Sequence, residues 1–144
     1  MYDLLVQQMR NEVTTVGAKE LRTPSEVDAE FRSSKGTMLV VVNSTCGCAA
    51  GAARPGFALA MQHTLKPDHV VTVFAGQDKD ATARARENFT DQPPSSPSFA
   101  ILKDGNFVHM IHRYQIEGHS PQQIALRLTR AFDQYCGAEE GHRA

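Results

Sequence analysis

Hydrophobic positions along this chain switch between helical and strand-like spacing, and the switches outline its elements. Leu5, Met9, Val13 and Val16 recur at helical intervals, which predicts a first amphipathic helix from Tyr2 to about Val16. Thr23-Pro24-Ser25-Glu26 combines a capping threonine, a proline in the first turn and a capping-box glutamate, with Val27 and Phe31 following on one face. A second helix to about Ser34 is expected. Met38-Leu39-Val40-Val41-Val42 is then an unbroken β-branched run between Gly36 and Asn43, the pattern of a strand covered on both faces.

Beyond Cys48, the alanines Ala49, Ala50, Ala52 and Ala53 and then Phe57, Leu59, Ala60 and Met61 favour a helix that Pro55 kinks or divides. A second strand is read at Val70 to Ala75 and a further helix from about Asp78 to Phe89. The stretch Asp91-Gln92-Pro93-Pro94-Ser95-Ser96-Pro97 is rich in breakers and reads as a connecting loop. Phe99-Ala100-Ile101-Leu102 and Phe107-Val108-His109-Met110-Ile111 flank Asp104-Gly105, a strong hairpin signal. Ser120-Pro121-Gln122-Gln123 opens a last helix with Ile124, Leu128, Ala131 and Tyr135 among its spaced apolar positions.

The core order is therefore strand, helix, strand, helix, hairpin, helix, behind two N-terminal helices. Right-handed crossovers between parallel strands, closed by an antiparallel hairpin, give an α/β fold with a central mixed sheet of about four strands flanked by helices. This is the thioredoxin-like arrangement. At 144 residues and 41% hydrophobic content the chain suits one domain, with N-terminal helices over 1–35, a core over 37–136 and a tail over 137–144.

A net charge of −1 gives no electrostatic reason for a nucleic-acid or anionic-membrane partner. The N-terminus lacks the pattern of a secretory signal, and no run approaches the roughly 18 apolar residues of a membrane span. A soluble cytosolic protein is expected. Three cysteines are too few for a disulfide framework, so in a reducing compartment the close pair Cys46 and Cys48 points to redox chemistry or metal binding.

The pair sits where a buried strand hands over to a helix. Exposed amides and the positive end of the helix dipole stabilise a thiolate there, and two thiols within bonding reach suffice for disulfide exchange. Cys46, on the outer side, is the expected nucleophile, and Gly47 is read as permitting a tight backbone between the sulfurs. Strain in so small a ring would favour an oxidising pair or reactions that stop at a mixed disulfide. The competing class is a zinc or iron-sulfur carrier using Cys46, Cys48 and Cys136, although no second cysteine-rich half-site accompanies them. Cys136, at the end of the last helix, reads as a surface or semi-buried thiol that would resolve a disulfide only if the tail folded back. Pro97 draws notice because it feeds the strand expected beside the cysteine loop.

Five segments together carry a resemblance to a known family: Val41-Val42-Asn43-Ser44-Thr45-Cys46-Gly47-Cys48-Ala49-Ala50-Gly51, Ala53-Arg54-Pro55, Val73-Phe74-Ala75-Gly76-Gln77-Asp78, Pro94-Ser95-Ser96-Pro97-Ser98 and Ile116-Glu117-Gly118-His119. In this order they resemble the bacilliredoxins, bacterial thioredoxin-like proteins with a Cys-Gly-Cys site. The resemblance implies removal of bacillithiol, or a similar low-molecular-weight thiol such as glutathione, from mixed disulfides on S-thiolated cytosolic proteins. It carries Cys46 over as attacking thiol and Cys48 as its resolving or modulating neighbour. It also implies that Pro97 is a cis-proline facing the site and that Ser96 offers backbone groups to substrate beside Gly47. No cofactor is implied beyond the thiol co-substrate, and disulfide isomerase or reductase activity is a related reading.

Overall fold

The computed structural model describes residues 2–137. Two helices and a short strand come first: α1 (Tyr2–Thr14), β1 (Lys19–Glu20) and α2 (Pro24–Ser33). The central strand β2 (Thr37–Asn43) leads through the cysteines into a π-helical turn (Ala49–Ala53) and α3 (Arg54–Ala60). The chain continues through β3 (His69–Phe74), α4 (Lys79–Arg86), β4 (Ser98–Lys103), β5 (Asn106–Ile111), the short α5 (Arg113–Ile116) and α6 (Pro121–Tyr135). The tail assignment lies outside the described residues from 138 onward.

The sheet has five strands in the order β1-β3-β2-β4-β5, one more than expected. The additional strand, β1, is two polar residues long and exists only through its parallel pairing with Val71 and Thr72 of β3. β2 runs parallel to β3 and antiparallel to β4. Every residue of β2 is buried, and its alternation sorts the core into two layers. Leu39 and Val41 pack with Val13, Phe57, Ile124, Leu128 and Phe132 under α1, α3 and α6. Met38, Val40 and Val42 pack with Val27, Ala81, Ala85 and Phe89 under α2 and α4. The unbroken apolar run of β2 is thus the signature of a strand with helices on both sides.

Local chemistry sets the boundaries. Thr23 and Ser120 each close a capping box, with Glu26 and Gln123, as their sequences imply. The hairpin turn puts Asp104 at φ 49° and Gly105 at φ 82°, the left-handed pair that Asp-Gly supplies at low cost. Pro55 does not cut its helix in two. It lacks the N–H that an α-helical turn would use, and the chain accommodates it with the wider π turn just before it, where Arg54 N–H donates to the Ala49 carbonyl.

The last helix crosses α3 at Gly56. A Cβ there would lie 2.6 Å from Ile124 Cβ and 2.7 Å from its Cγ2, both too close for a real contact. Gly56→Ala should therefore overpack the crossing and cost about 1–3 kcal/mol. That corresponds to a fall in Tm of roughly 2–12 °C for a domain of this size, which a thermal melt followed by circular dichroism would show. An unchanged Tm would mean that α6 shifts freely on α3.

Candidate active site

The end of β2 is built as a chain of small polar clasps. Asn43 is buried; its Oδ1 accepts from the Ser44 amide at 2.9 Å and from Arg54 Nη1 at 3.0 Å, while its Nδ2 donates to the Met9 carbonyl at 3.2 Å. Ser44 Oγ accepts from the Cys46 amide at 3.2 Å. The Cys46 carbonyl then receives the Ala49 and Ala50 amides at 3.1 and 3.3 Å, so Cys46 closes the loop and Gly47 begins the helix.

Cys46 and Cys48 are both free and partly buried, with their sulfurs 2.7 Å apart. Their acidities diverge. Burial opposes ionisation of Cys46, but hydrogen bonds from the Cys48 thiol, the Ser44 hydroxyl and the Ala49 and Cys48 amides outweigh it, and the net effect holds Cys46 below the ordinary thiol value. Cys48 is pushed up to about 11, first by burial and then by its hydrogen bond to Cys46 and that neighbour's charge. Arg113 pulls Cys48 back down and Glu117 pushes it up. This asymmetry makes Cys46 the more acidic thiol, the one that ionises first, and leaves Cys48 as the proton donor of the pair.

A depressed pKa means that Cys46 ionises at a lower pH than an ordinary cysteine. Its rate of modification by iodoacetamide should rise with pH and reach half its plateau below the ordinary value of 9.0. A midpoint at or above 9.0, read by mass spectrometry of the Cys46 peptide, would contradict the geometry.

The structure corrects the expectation for Gly47. Its backbone is not left-handed, and a Cβ added to it would meet nothing within 4 Å. Neither the fold nor the thiol spacing requires glycine here, so what its missing side chain keeps clear is the outer face of the loop.

The Ser96–Pro97 bond is cis. Ser98 pairs with Val42 at the end of β2 that leads into the cysteine loop, and Pro97 immediately precedes Ser98. The approach to this proline is pinned at several points. Ser95 receives Arg86 Nη2 and Ser98 Oγ on its carbonyl, at 3.1 and 2.9 Å, and its own hydroxyl bonds His112 Nδ1 at 2.9 Å. His112 is buried and bonds Gln92 Oε1 through its other nitrogen at 2.8 Å. It is a structural clamp between the loop and α5.

Cys136 lies elsewhere. It is buried in the core at the opposite end of β2, where Thr37, Asp68 and Lys103 act on it and burial raises its pKa. The seven residues of β2 separate it from the pair by on the order of 20 Å. The expectation of a surface or semi-buried thiol is corrected to a core residue, and Cys46, Cys48 and Cys136 do not converge on one metal ion or one disulfide. Among the described residues no group of three or more His, Cys, Asp or Glu could hold a metal. No helix among them is long and apolar enough to cross a membrane.

Two arginines carry roles that the residue pattern did not reveal. Arg54, within the Ala53-Arg54-Pro55 segment, is buried and donates to the Ser44 carbonyl at 2.7 Å, to Asn43 Oδ1 and to Glu12 Oε1 at 2.6 Å. Arg113 opens α5 beside the thiols, its Nη1 3.3 Å from the Ser96 carbonyl. A lone arginine has no spacing signature, and only the assembled fold shows what it faces.

With this geometry in place, comparison with known proteins is specific. A family model described as disulphide isomerase matches residues 2–136. A bacilliredoxin of Geobacillus kaustophilus is 57% identical over 136 residues, covering 94% of this chain and 93% of that protein. The chain belongs to the bacilliredoxin family. A bacilliredoxin of Koribacter versatilis is 51% identical over 99% of this chain and 98% of its own length. Among solved structures, Fasciola hepatica thioredoxin aligns with TM-score 0.57 at 19% identity, covering 81% of this chain and 98% of that one. Oxidised Plasmodium falciparum thioredoxin gives 0.56 at 20%, covering 83% and 98%. The fold is thioredoxin-like, and the bacilliredoxin relatives make the protein a thiol-disulfide oxidoreductase.

Proposed function

We propose that this bacilliredoxin removes bacillithiol, or a similar low-molecular-weight thiol, from mixed disulfides on oxidised cytosolic proteins, with Cys46 attacking. The observation that carries the reading is a pair of free thiols in contact whose acidities are driven apart by their surroundings. Gly47 leaves the approach to Cys46 clear, and Ser96 and Pro97 form the neighbouring wall against which the substrate chain lies.

In the first step the Cys46 thiolate attacks the small-thiol sulfur of the substrate disulfide. That S–S bond breaks, a new one forms to Cys46, and the substrate protein leaves as a thiolate, so one disulfide is exchanged for another without net oxidation. Capture also removes the negative charge that helped to keep Cys48 protonated. Cys48 then ionises more easily, attacks the Cys46 sulfur and releases the small thiol, leaving a Cys46–Cys48 disulfide. Two equivalents of a reducing thiol restore the dithiol and depart as their own disulfide. The thiol co-substrate is the only cofactor this cycle uses, and neither nucleic acid nor membrane enters it.

The test is a bacillithiolated protein incubated with the reduced enzyme, beside a glutathionylated control, with intact masses followed over time. The test protein should lose the mass of the small thiol while an adduct of equal mass passes through Cys46. A test protein that keeps both modifications would overturn the reading. The description of the family model favours disulfide isomerisation as a second reading, for which recovery of activity by a scrambled multi-disulfide protein is the corresponding assay.

A further inference from the structure

The cation beside the thiols is placed with more care than thiolate stabilisation alone demands. α5 leaves the end of β5 with His112 as its cap, and the His112 amide is in turn bonded by Gln115 Oε1 at 2.9 Å. Because Ser95 and Gln92 clamp the His112 ring, α5 is fixed against the loop that carries Pro97. Arg113 therefore projects from a rigid base. Its Nη1 contacts the Ser96 carbonyl, its Nη2 lies 3.2 Å from Glu117 Oε2, and its charge reaches both Cys46 and Cys48.

The Arg113–Glu117 pair does little for the fold. Both side chains are exposed, at 42% and 58%, and exposed pairs four residues apart on a helix contribute little to stability. α5 is held instead by its cap and by the fully buried Ile116. A guanidinium held by so weak a partner is free to exchange it, and a carboxylate presented in the right plane makes two parallel bonds to it.

We propose that Arg113 is a specificity residue that binds a carboxylate carried by the small-thiol half of the mixed disulfide, exchanging its contact with Glu117 for the substrate. The assignment rests on the reading that a low-molecular-weight thiol is the group removed. When Cys46 attacks the small-thiol sulfur, that half of the substrate comes to rest on Cys46, and an acid group a few bonds from the sulfur falls beside α5. Glu117 keeps the guanidinium oriented in the empty site and repels anions that offer no better geometry. The substrates favoured are thus anionic, cysteine-like small thiols, and cationic adducts are disfavoured.

The experiment uses one test protein thiolated separately with mercaptoacetate, mercaptoethanol and cysteamine, which place negative, neutral and positive groups near the same sulfur. Wild-type enzyme should remove mercaptoacetate faster than cysteamine by on the order of tenfold, as expected for a charge-assisted contact. Arg113→Gln should abolish the preference for mercaptoacetate, Arg113→Glu should reverse the order strongly in favour of cysteamine, and Arg113→Lys should keep part of the wild-type preference. The ratio of rates isolates recognition, since any change in Cys46 acidity slows all three adducts alike. Equal removal of all three by wild type, or a uniform slowing by Arg113→Gln with the ratio preserved, would overturn the assignment while leaving the proposed function standing. Removal of none would overturn the proposed function and the assignment with it.

Discussion

Cys46→Ala should lose thiol capture altogether, with dethiolation falling by on the order of a thousandfold or more, as when other enzymes lose their nucleophile. The residues around it then separate two roles for Cys48. Cys48→Ala removes the resolving thiol and also a hydrogen bond that favours the Cys46 thiolate, so Cys46 should still capture the small thiol, more slowly, and hold it as a stable adduct. Cys48→Ser keeps a donor at that position and should capture faster than Cys48→Ala while trapping the same adduct. Intact mass and non-reducing separation after incubation with a thiolated protein give both results. Equal capture by Cys46→Ala and Cys48→Ala would sink the assignment of roles. Sustained turnover by Cys48→Ala would show that a thiol from solution resolves the intermediate, because Cys136 lies too far away to do so.

The second large effect is expected at Arg54. Replacing it with leucine leaves the Ser44 carbonyl without its 2.7 Å donor and Asn43 Oδ1 with one bond in place of two. Hydrogen bonds to a charged donor contribute about 1.5–3 kcal/mol each, and the half-exposed Glu12 adds little. A loss of about 3 kcal/mol, or roughly 6–12 °C in Tm, is therefore expected. The loop should suffer along with the fold. Slowed capture at temperatures where Arg54→Leu remains folded would show that the clasp positions Cys46, whereas full activity there would confine Arg54 to stability.

Much of this arrangement was legible in the chain because its signals were strong and local. The apolar run of β2, β-branched and bounded by Gly36 and Asn43, suits a strand buried on both faces, and the two capping boxes and the Asp-Gly turn are specified by neighbouring residues. What escaped detection depends on distant partners. β1 is Lys19-Glu20, with no apolar residue at all, and it becomes a strand only because β3 lies beside it. α5 is a single turn whose cap, His112, is not among the usual capping residues and works through Gln115. The site divided in the same way. The cysteines announced themselves by spacing, while Arg54 and Arg113 acquired meaning only from what the fold sets against them. Gly47 misled in the other direction, because a glycine between two cysteines suggests a backbone requirement that the observed conformation does not impose.

The N-terminal helix reads along the chain as an addition placed before the catalytic core. Its contacts say otherwise. Met9 offers its carbonyl to Asn43 and Glu12 receives Arg54, and those two partners hold the last residues before Cys46. The first helix is consequently a buttress for the reaction centre, supplied from a remote stretch of chain. A shortened domain that kept every strand and both cysteines but lacked this buttress would not be a smaller version of the same enzyme. Its dithiol would sit on a looser hinge.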